Sequence, residues 1–164
     1  MSCIVIYFSK SGTTKAVATE ISRQLNCDTQ PIVPAKRYSR LFLKCLFRAY
    51  SEKRDKALPK LKGLINLELY DTIILGYPVW MGTCPRIMYS FIKAQRIRGK
   101  QIIPFCTYRG SAGSGDKDLM NEFPDLTWRG VLAVKASKAK NCSAEVAAFI
   151  EKQKLVKNSG EAPK

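Results

Sequence analysis

Ser9-Lys10-Ser11-Gly12-Thr13-Thr14 sets four hydroxyls and a glycine between an apolar run, Cys3 to Phe8, and a stretch whose apolar residues recur at helical spacing. A helix that starts in such a turn leaves its first N–H groups without intrahelical partners, and these groups, together with the helix dipole, favour an anion. The turn lacks the Gly-x-Gly-x-x-Gly spacing of a dinucleotide loop and the Gly-Lys-Ser/Thr ending of a triphosphate loop, which points to a single phosphate. Taken alone, the same residues could equally form an ordinary Ser/Thr helix cap.

Two later segments carry ring-binding chemistry. Tyr77-Pro78-Val79-Trp80-Met81-Gly82-Thr83-Cys84-Pro85 follows a second apolar run, and its tryptophan, framed by Pro78 and Gly82, is suited to stack on a planar ring. Thr107-Tyr108-Arg109-Gly110-Ser111-Ala112-Gly113-Ser114-Gly115 holds three glycines and several hydroxyls, and it can offer backbone N–H groups to a carbonyl-rich heterocycle. By itself that segment would read as a flexible turn.

Side-chain catalysis has little to draw on. The chain has no histidine, which excludes Ser-His-Asp and Cys-His catalysis. Its six cysteines are widely spaced with no Cys-x-x-Cys pair, so free thiols in a reducing compartment are expected and no metal site is. Cys84 and Cys106 lie near the ring segments but read as buried structural thiols. Tyr89, Phe123 and Trp128 read as packing residues.

The elements that would position these segments alternate along the chain. Cys3 to Phe8, Asp28 to Val33, Thr72 to Gly76, Gln101 to Thr107 and Trp128 to Lys135 read as strands, the second an edge because of Pro31 and Pro34. Between and after them, helices are expected over Thr13 to Leu25, Tyr38 to Arg54, Pro85 to Ala94, Asp116 to Phe123 and Ser143 to about Lys154. In the second helix Leu41, Phe42, Cys45, Leu46 and Ala49 form the stripe expected to cover the sheet. This order predicts an α/β fold, a doubly wound five-stranded parallel sheet with helices on both faces. Ligands in such sheets bind outside the carboxyl ends of the strands, where all three segments fall. A length of 164 residues with 46% hydrophobic and 25% charged residues suits one domain, assigned to 1–154 with a polar tail at 155–164. Neither a leader nor a membrane span is expected, and the cytoplasm is the expected location.

Three segments, Tyr7-Phe8-Ser9-Lys10-Ser11-Gly12-Thr13-Thr14, Gly76-Tyr77-Pro78-Val79-Trp80 and Ile102-Ile103-Pro104-Phe105-Cys106-Thr107, occur in the order in which the short-chain bacterial-type flavodoxins carry them. The likeness extends to Tyr50-Ser51-Glu52-Lys53-Arg54 and Pro59-Lys60-Leu61-Lys62, and the sequence resembles that family over most of Met1 to Lys135. The resemblance implies a flavodoxin-like sheet of order 2-1-3-4-5 and FMN as cofactor. It puts the phosphate on Ser9, Lys10, Ser11, Gly12, Thr13 and Thr14. The ring would lie between Pro78, Val79, Trp80, Met81, Gly82 and Thr83 on one side and Thr107, Tyr108, Arg109, Gly110 and Gly113 on the other, with Trp80 stacked on it. It also implies that the Met81-Gly82 peptide can turn its carbonyl to accept a proton held by the ring. The implied function is electron transfer with partner proteins. The alternatives are an NAD(P)H-dependent quinone or flavin reductase, for which no nicotinamide fingerprint is seen, and a binding module that has lost the flavin.

Departures from the family pattern are Thr13, where Asn is common, Met81, where a second aromatic is common, and charge. Twenty-eight Lys and Arg against 13 Asp and Glu give a formal +15, whereas carrier flavodoxins are acidic. Acidic partner surfaces are therefore expected. The cluster Lys36, Arg37, Arg40, Lys44, Arg48, Lys53, Arg54 and Lys56 is weighed between a solvated face and an anionic-lipid or nucleic-acid surface, with the solvated face favoured. No motif for specific nucleic-acid binding accompanies it.

Overall fold

The computed structural model describes residues 2–155. In chain order its elements are β1 (Cys3–Tyr7), α1 (Thr13–Leu25), β2 (Asp28–Pro31), α2 (Phe42–Arg54), β3 (Thr72–Pro78), α3 (Arg86–Ala94), β4 (Gln101–Tyr108), α4 (Gly115–Glu122), β5 (Thr127–Trp128), β6 (Leu132–Lys135), a 3-10 helix (Ala136–Asn141) and α5 (Ser143–Lys152). The strands form one parallel sheet in the order β2-β1-β3-β4-β5, with β6 also paired to β4. The 2-1-3-4-5 order expected of the sequence is thus the observed one.

Alternation along the three central strands splits the core into two layers. Ile4, Ile6, Ile73, Leu75 and Ile102 face α2, α3 and α4, where Cys45, Ile87, Met88, Phe91 and Leu119 meet them. Val5, Tyr7, Ile74, Ile103 and Phe105 face the opposite layer, built by Val17, Ile21 and Leu25 of α1 and Val146 and Phe149 of α5. β1 is buried along its whole length, as a parallel strand covered on both faces must be. β2 is an exposed edge limited by Pro31. Leu155, the first residue of the expected tail, is buried with the α1 and α5 layer, and the rest of that tail, 156–164, lies outside the described residues.

Three expectations need correction. The last strand, read as one run from Trp128 to Lys135, is two: β5 pairs with the start of β4 and β6 with its end. Between them the backbone leaves the ladder at Arg129, whose guanidinium donates to the Gln153 carbonyl at 2.7 Å, while Gly130 sits hard against the Gln153 side chain. The helix expected from Tyr38 begins at Phe42, because Tyr38 is buried in its own right ahead of it. Of the stripe assigned to the sheet, Cys45 and Ala49 are buried while Leu41 and Leu46 are exposed. The turn of α2 that directs Arg48 and Glu52 toward Tyr38 carries those leucines outward.

Candidate functional site

The three expected segments converge at the carboxyl ends of β1, β3 and β4, which lie side by side in register. In the first, Gly12 adopts a left-handed conformation (φ +88°) that turns the chain sharply from β1 into α1. The Ser9 hydroxyl accepts the Gly12 N–H at 3.1 Å, and the Ser11 and Thr13 hydroxyls lie 3.2 Å apart. No side chain caps α1, and its first turn holds no acidic residue. The helix ladder begins with Ala16 N–H donating to the Gly12 carbonyl, so the N–H groups of Thr13, Thr14 and Lys15 precede it at the helix end. The ordinary Ser/Thr cap is therefore not what this turn forms. Thr14 is buried and its hydroxyl is hydrogen-bonded to that of Thr107 at 2.8 Å, tying α1 to the end of β4.

In the second segment Tyr77 and Pro78 are the last residues of β3, and the turn begins after them. Trp80 and Thr83 exchange two backbone hydrogen bonds, 2.9 and 3.1 Å, around Met81 and Gly82. Both central residues have positive φ, +50° and +73°, the backbone of a tight hairpin turn in which glycine is at ease and methionine is not. The third segment is clamped to this turn. Ser114 N–H donates to the Gly82 carbonyl at 2.8 Å, and the Thr83 and Ser114 hydroxyls both bond the Asp118 carboxylate of α4. Gly113 lies so close that a Cβ there would stand 2.1 Å from the Gly82 oxygen. The same third segment reaches β3 through Val79 N–H, which donates to the Thr107 carbonyl at 2.8 Å.

Trp80 is half-buried, with its ring nearly perpendicular to those of Phe8, at 5.4 Å, and Tyr38, at 5.0 Å. Tyr38 is itself fixed: its hydroxyl donates to Glu52 at 2.6 Å, and the Arg48 guanidinium sits 4.0 Å over its ring while bonding the same carboxylate. Burial first, and then the Glu52 carboxylate, push the Tyr38 phenol far above its usual range, so it stays a donor. Arg48 also donates to the carbonyls of Lys36 and Arg37, and Lys53 donates to the Met81 carbonyl at 3.2 Å. Arg48 is half-buried and departs from the solvated-face reading, whereas Lys53 stays exposed while making its bond.

Of the predicted site residues, Ser11, Gly12, Gly82, Gly113, Lys10, Arg109 and Gly110 are exposed around the convergence, while Ser9, Thr13, Pro78, Val79, Trp80, Met81 and Tyr108 are part-buried in its walls. Thr14, Thr83 and Thr107 are buried and hold the walls together. Phe8, Tyr38, Arg48, Glu52, Lys53 and Asp118 support the site without having been foreseen, because nothing local in sequence ties α2 or α4 to the Trp80 turn. The Glu52-Lys53 pair inside the family-like stretch Tyr50 to Arg54 is the one signal that could have pointed to α2. Cys84 and Cys106 are both buried, as expected. Burial raises both thiols, Cys106 to about 12, which keeps them protonated beside the site.

Among the described residues no helix is long and apolar enough to cross a membrane, and no cluster of side chains could hold a metal. A search of curated proteins finds no match. Among solved structures the chain is similar to candidate flavoproteins from Bacteroides uniformis and Bacteroides eggerthii. Each is 29% identical, with 92% of this chain covered, 97% and 96% of theirs, and TM-scores of 0.83 and 0.82. It shares the fold of a Lactobacillus acidophilus flavoprotein solved in complex with FMN, at 20% identity, 84% and 95% coverage and a TM-score of 0.73. The sequence profile of the flavodoxins matches residues 2–153, nearly the whole described chain, and with the sheet order and the three convergent loops it shows that this chain belongs to the flavodoxin family.

Proposed function

We propose that the chain holds FMN across these three loops and serves as an electron-transfer flavoprotein that exchanges electrons with a protein partner. The observation that carries the reading is the pairing, at one sheet edge, of an uncapped helix N-terminus with a tryptophan turn clamped to a glycine loop. FMN, when bound, supplies one- and two-electron redox chemistry that the side chains here cannot. The N–H groups of Thr13, Thr14 and Lys15 would bond the phosphate, with the Ser9, Ser11 and Thr13 hydroxyls and Lys10 beside them. Trp80, held upright by Phe8 and Tyr38, would flank the ring, and exposed backbone at Arg109 to Gly113 would meet its polar edge. The Met81 carbonyl, turned toward Lys53 here, belongs to the peptide that would lie beside that ring. A carrier needs little more from the protein, and the absence of histidine suits that role.

Purified protein should be yellow, with about one FMN per chain. Trp80→Ala should weaken FMN binding about tenfold or more, read by quenching of flavin fluorescence. A colourless protein that takes up no FMN at micromolar concentration would sink the reading. Reduction only through a partner reductase is the outcome expected of a carrier. Rapid reduction by NAD(P)H alone would instead make it a reductase on the same scaffold.

A further inference from the structure

The outer face of α2 is built like a membrane-contact surface. Leu43, Leu46, Phe47 and Tyr50 recur at i, i+3, i+4 and i+7, the spacing that normally buries one side of a helix. Here that side points away from the protein: Leu43 is 64% exposed, Phe47 72% and Tyr50 56%. The inner face of the same helix is already occupied, by Cys45, Ala49 and Glu52. Isolated exposed leucines are ordinary, but a contiguous helical stripe of large apolar side chains marks a contact surface.

Charge selects the occupant. Residues 36–62 carry ten Lys and Arg against two acids, Glu52 and Asp55, a net +8 within the +15 of the whole chain. Both acids are already paired, with Arg48 and Arg54. Lys44 and Lys53 flank the stripe on the helix, and Arg40 precedes it. A second copy of the chain would bring two such fields together and be repelled. A nucleic acid would use the cations and leave the stripe in water. A convex row of leucines and a phenylalanine bordered by lysines matches an anionic bilayer surface, whose acyl boundary takes the apolar side chains while its headgroups meet the cations.

We infer that α2 is a peripheral docking surface for anionic lipid membranes, through insertion of Leu43, Leu46, Phe47 and Tyr50. α2 reaches the Trp80 turn through Glu52, which holds Tyr38 against Trp80, and through Lys53 at the border of the stripe, so docking brings that turn within about one helix diameter, ~10 Å, of the headgroups. The inference stands whether or not FMN binds.

Co-sedimentation of the full chain with phosphatidylcholine vesicles containing about one third phosphatidylglycerol tests it. Binding is expected on these vesicles and should weaken about tenfold or more on pure phosphatidylcholine. The double variant Leu43→Ser/Phe47→Ser should lose a further factor of about ten or more on the anionic vesicles, with an unchanged melting curve. Phe47→Trp should show a blue shift in emission on anionic vesicles only. Equal binding by parent and double variant would reduce the effect to bulk charge and overturn the inference, as would no binding at low salt. Duplex DNA bound with the same sensitivity to Leu43→Ser/Phe47→Ser would overturn it in favour of a nucleic-acid surface.

Discussion

A methyl group on Gly113 would have to occupy space 2.1 Å from the Gly82 carbonyl oxygen, at a φ of +65° that side chains avoid. Gly113→Ala should therefore pry the glycine loop from the Trp80 turn, at a cost of about 1–3 kcal/mol in unfolding free energy. Since that clamp fixes the gap in which the ring is proposed to sit, FMN affinity should fall about tenfold with it. Gly110→Ala, three residues away, would meet no protein atom within 4 Å and needs no unusual backbone, so its melting point should match the parent. Thermal melts of both variants check the contrast, and a flavin-fluorescence titration of Gly113→Ala checks its affinity. At this scale the sequence was informative about which segments come together at the carboxyl ends of the strands, because hydroxyls, glycines and a tryptophan stand out against the apolar runs before them. It was silent on what holds them. Asp118 bridges Thr83, 35 residues away, to Ser114, and Glu52 and Arg48 hold Tyr38 against Trp80, while the charged members of both groups suggest by type alone only surface charge.

Elements whose apolar pattern is buried on both sides, such as β1, β3 and β4, were legible because nothing competes with burial there. α2 and the last strand were not, since each answers to a partner outside the element: Tyr38 for the one, Gln153 for the other. The joint between α1 and α5 is of the same kind. Glu20 of α1 accepts from Arg23 at 2.7 Å and from Gln24 at 2.6 Å, and Gln24 in turn donates to the Ser143 carbonyl at the start of α5. The Arg23 guanidinium first, then the Gln24 amide, lower the Glu20 carboxyl to about 2. A carboxyl depressed by folding contributes stability that is whole above its unfolded value and is lost as pH falls through the folded one. The parent should therefore lose stability as pH falls from the ordinary glutamate range to about 2. Glu20→Gln, which cannot titrate, should show a shallower decline over that window and equal slopes above it. Denaturant melts across the range measure this, and parallel curves for the two proteins would remove the carboxylate from the joint.

Net charge acts on the whole molecule, and its effect should be visible in the potential of the proposed flavin. Adding an electron to the site places negative charge among cations of the surrounding loops, of which Lys10, Lys53 and Arg109 are exposed. One positive charge ~10 Å away at an effective dielectric of ~40 favours that electron by about 0.8 kcal/mol, or roughly 35 mV in a one-electron couple. Acidic carriers of the family present the opposite field, so the low-potential couple here should be less negative than theirs. The sign of the salt response separates this cause from any other. Salt screens exposed cations, so raising ionic strength from about 0.01 M to about 0.5 M should drive the midpoint down by tens of millivolts, whereas an acidic carrier should move up. Lys53→Gln should lower the low-salt midpoint and leave a smaller salt response, because its ammonium lies on the Met81 carbonyl of the turn proposed to flank the ring. A spectroelectrochemical titration at the two ionic strengths reads both effects. A midpoint that ignores salt, or rises with it, would mean that the +15 surface lies too far from the flavin to govern its electrons.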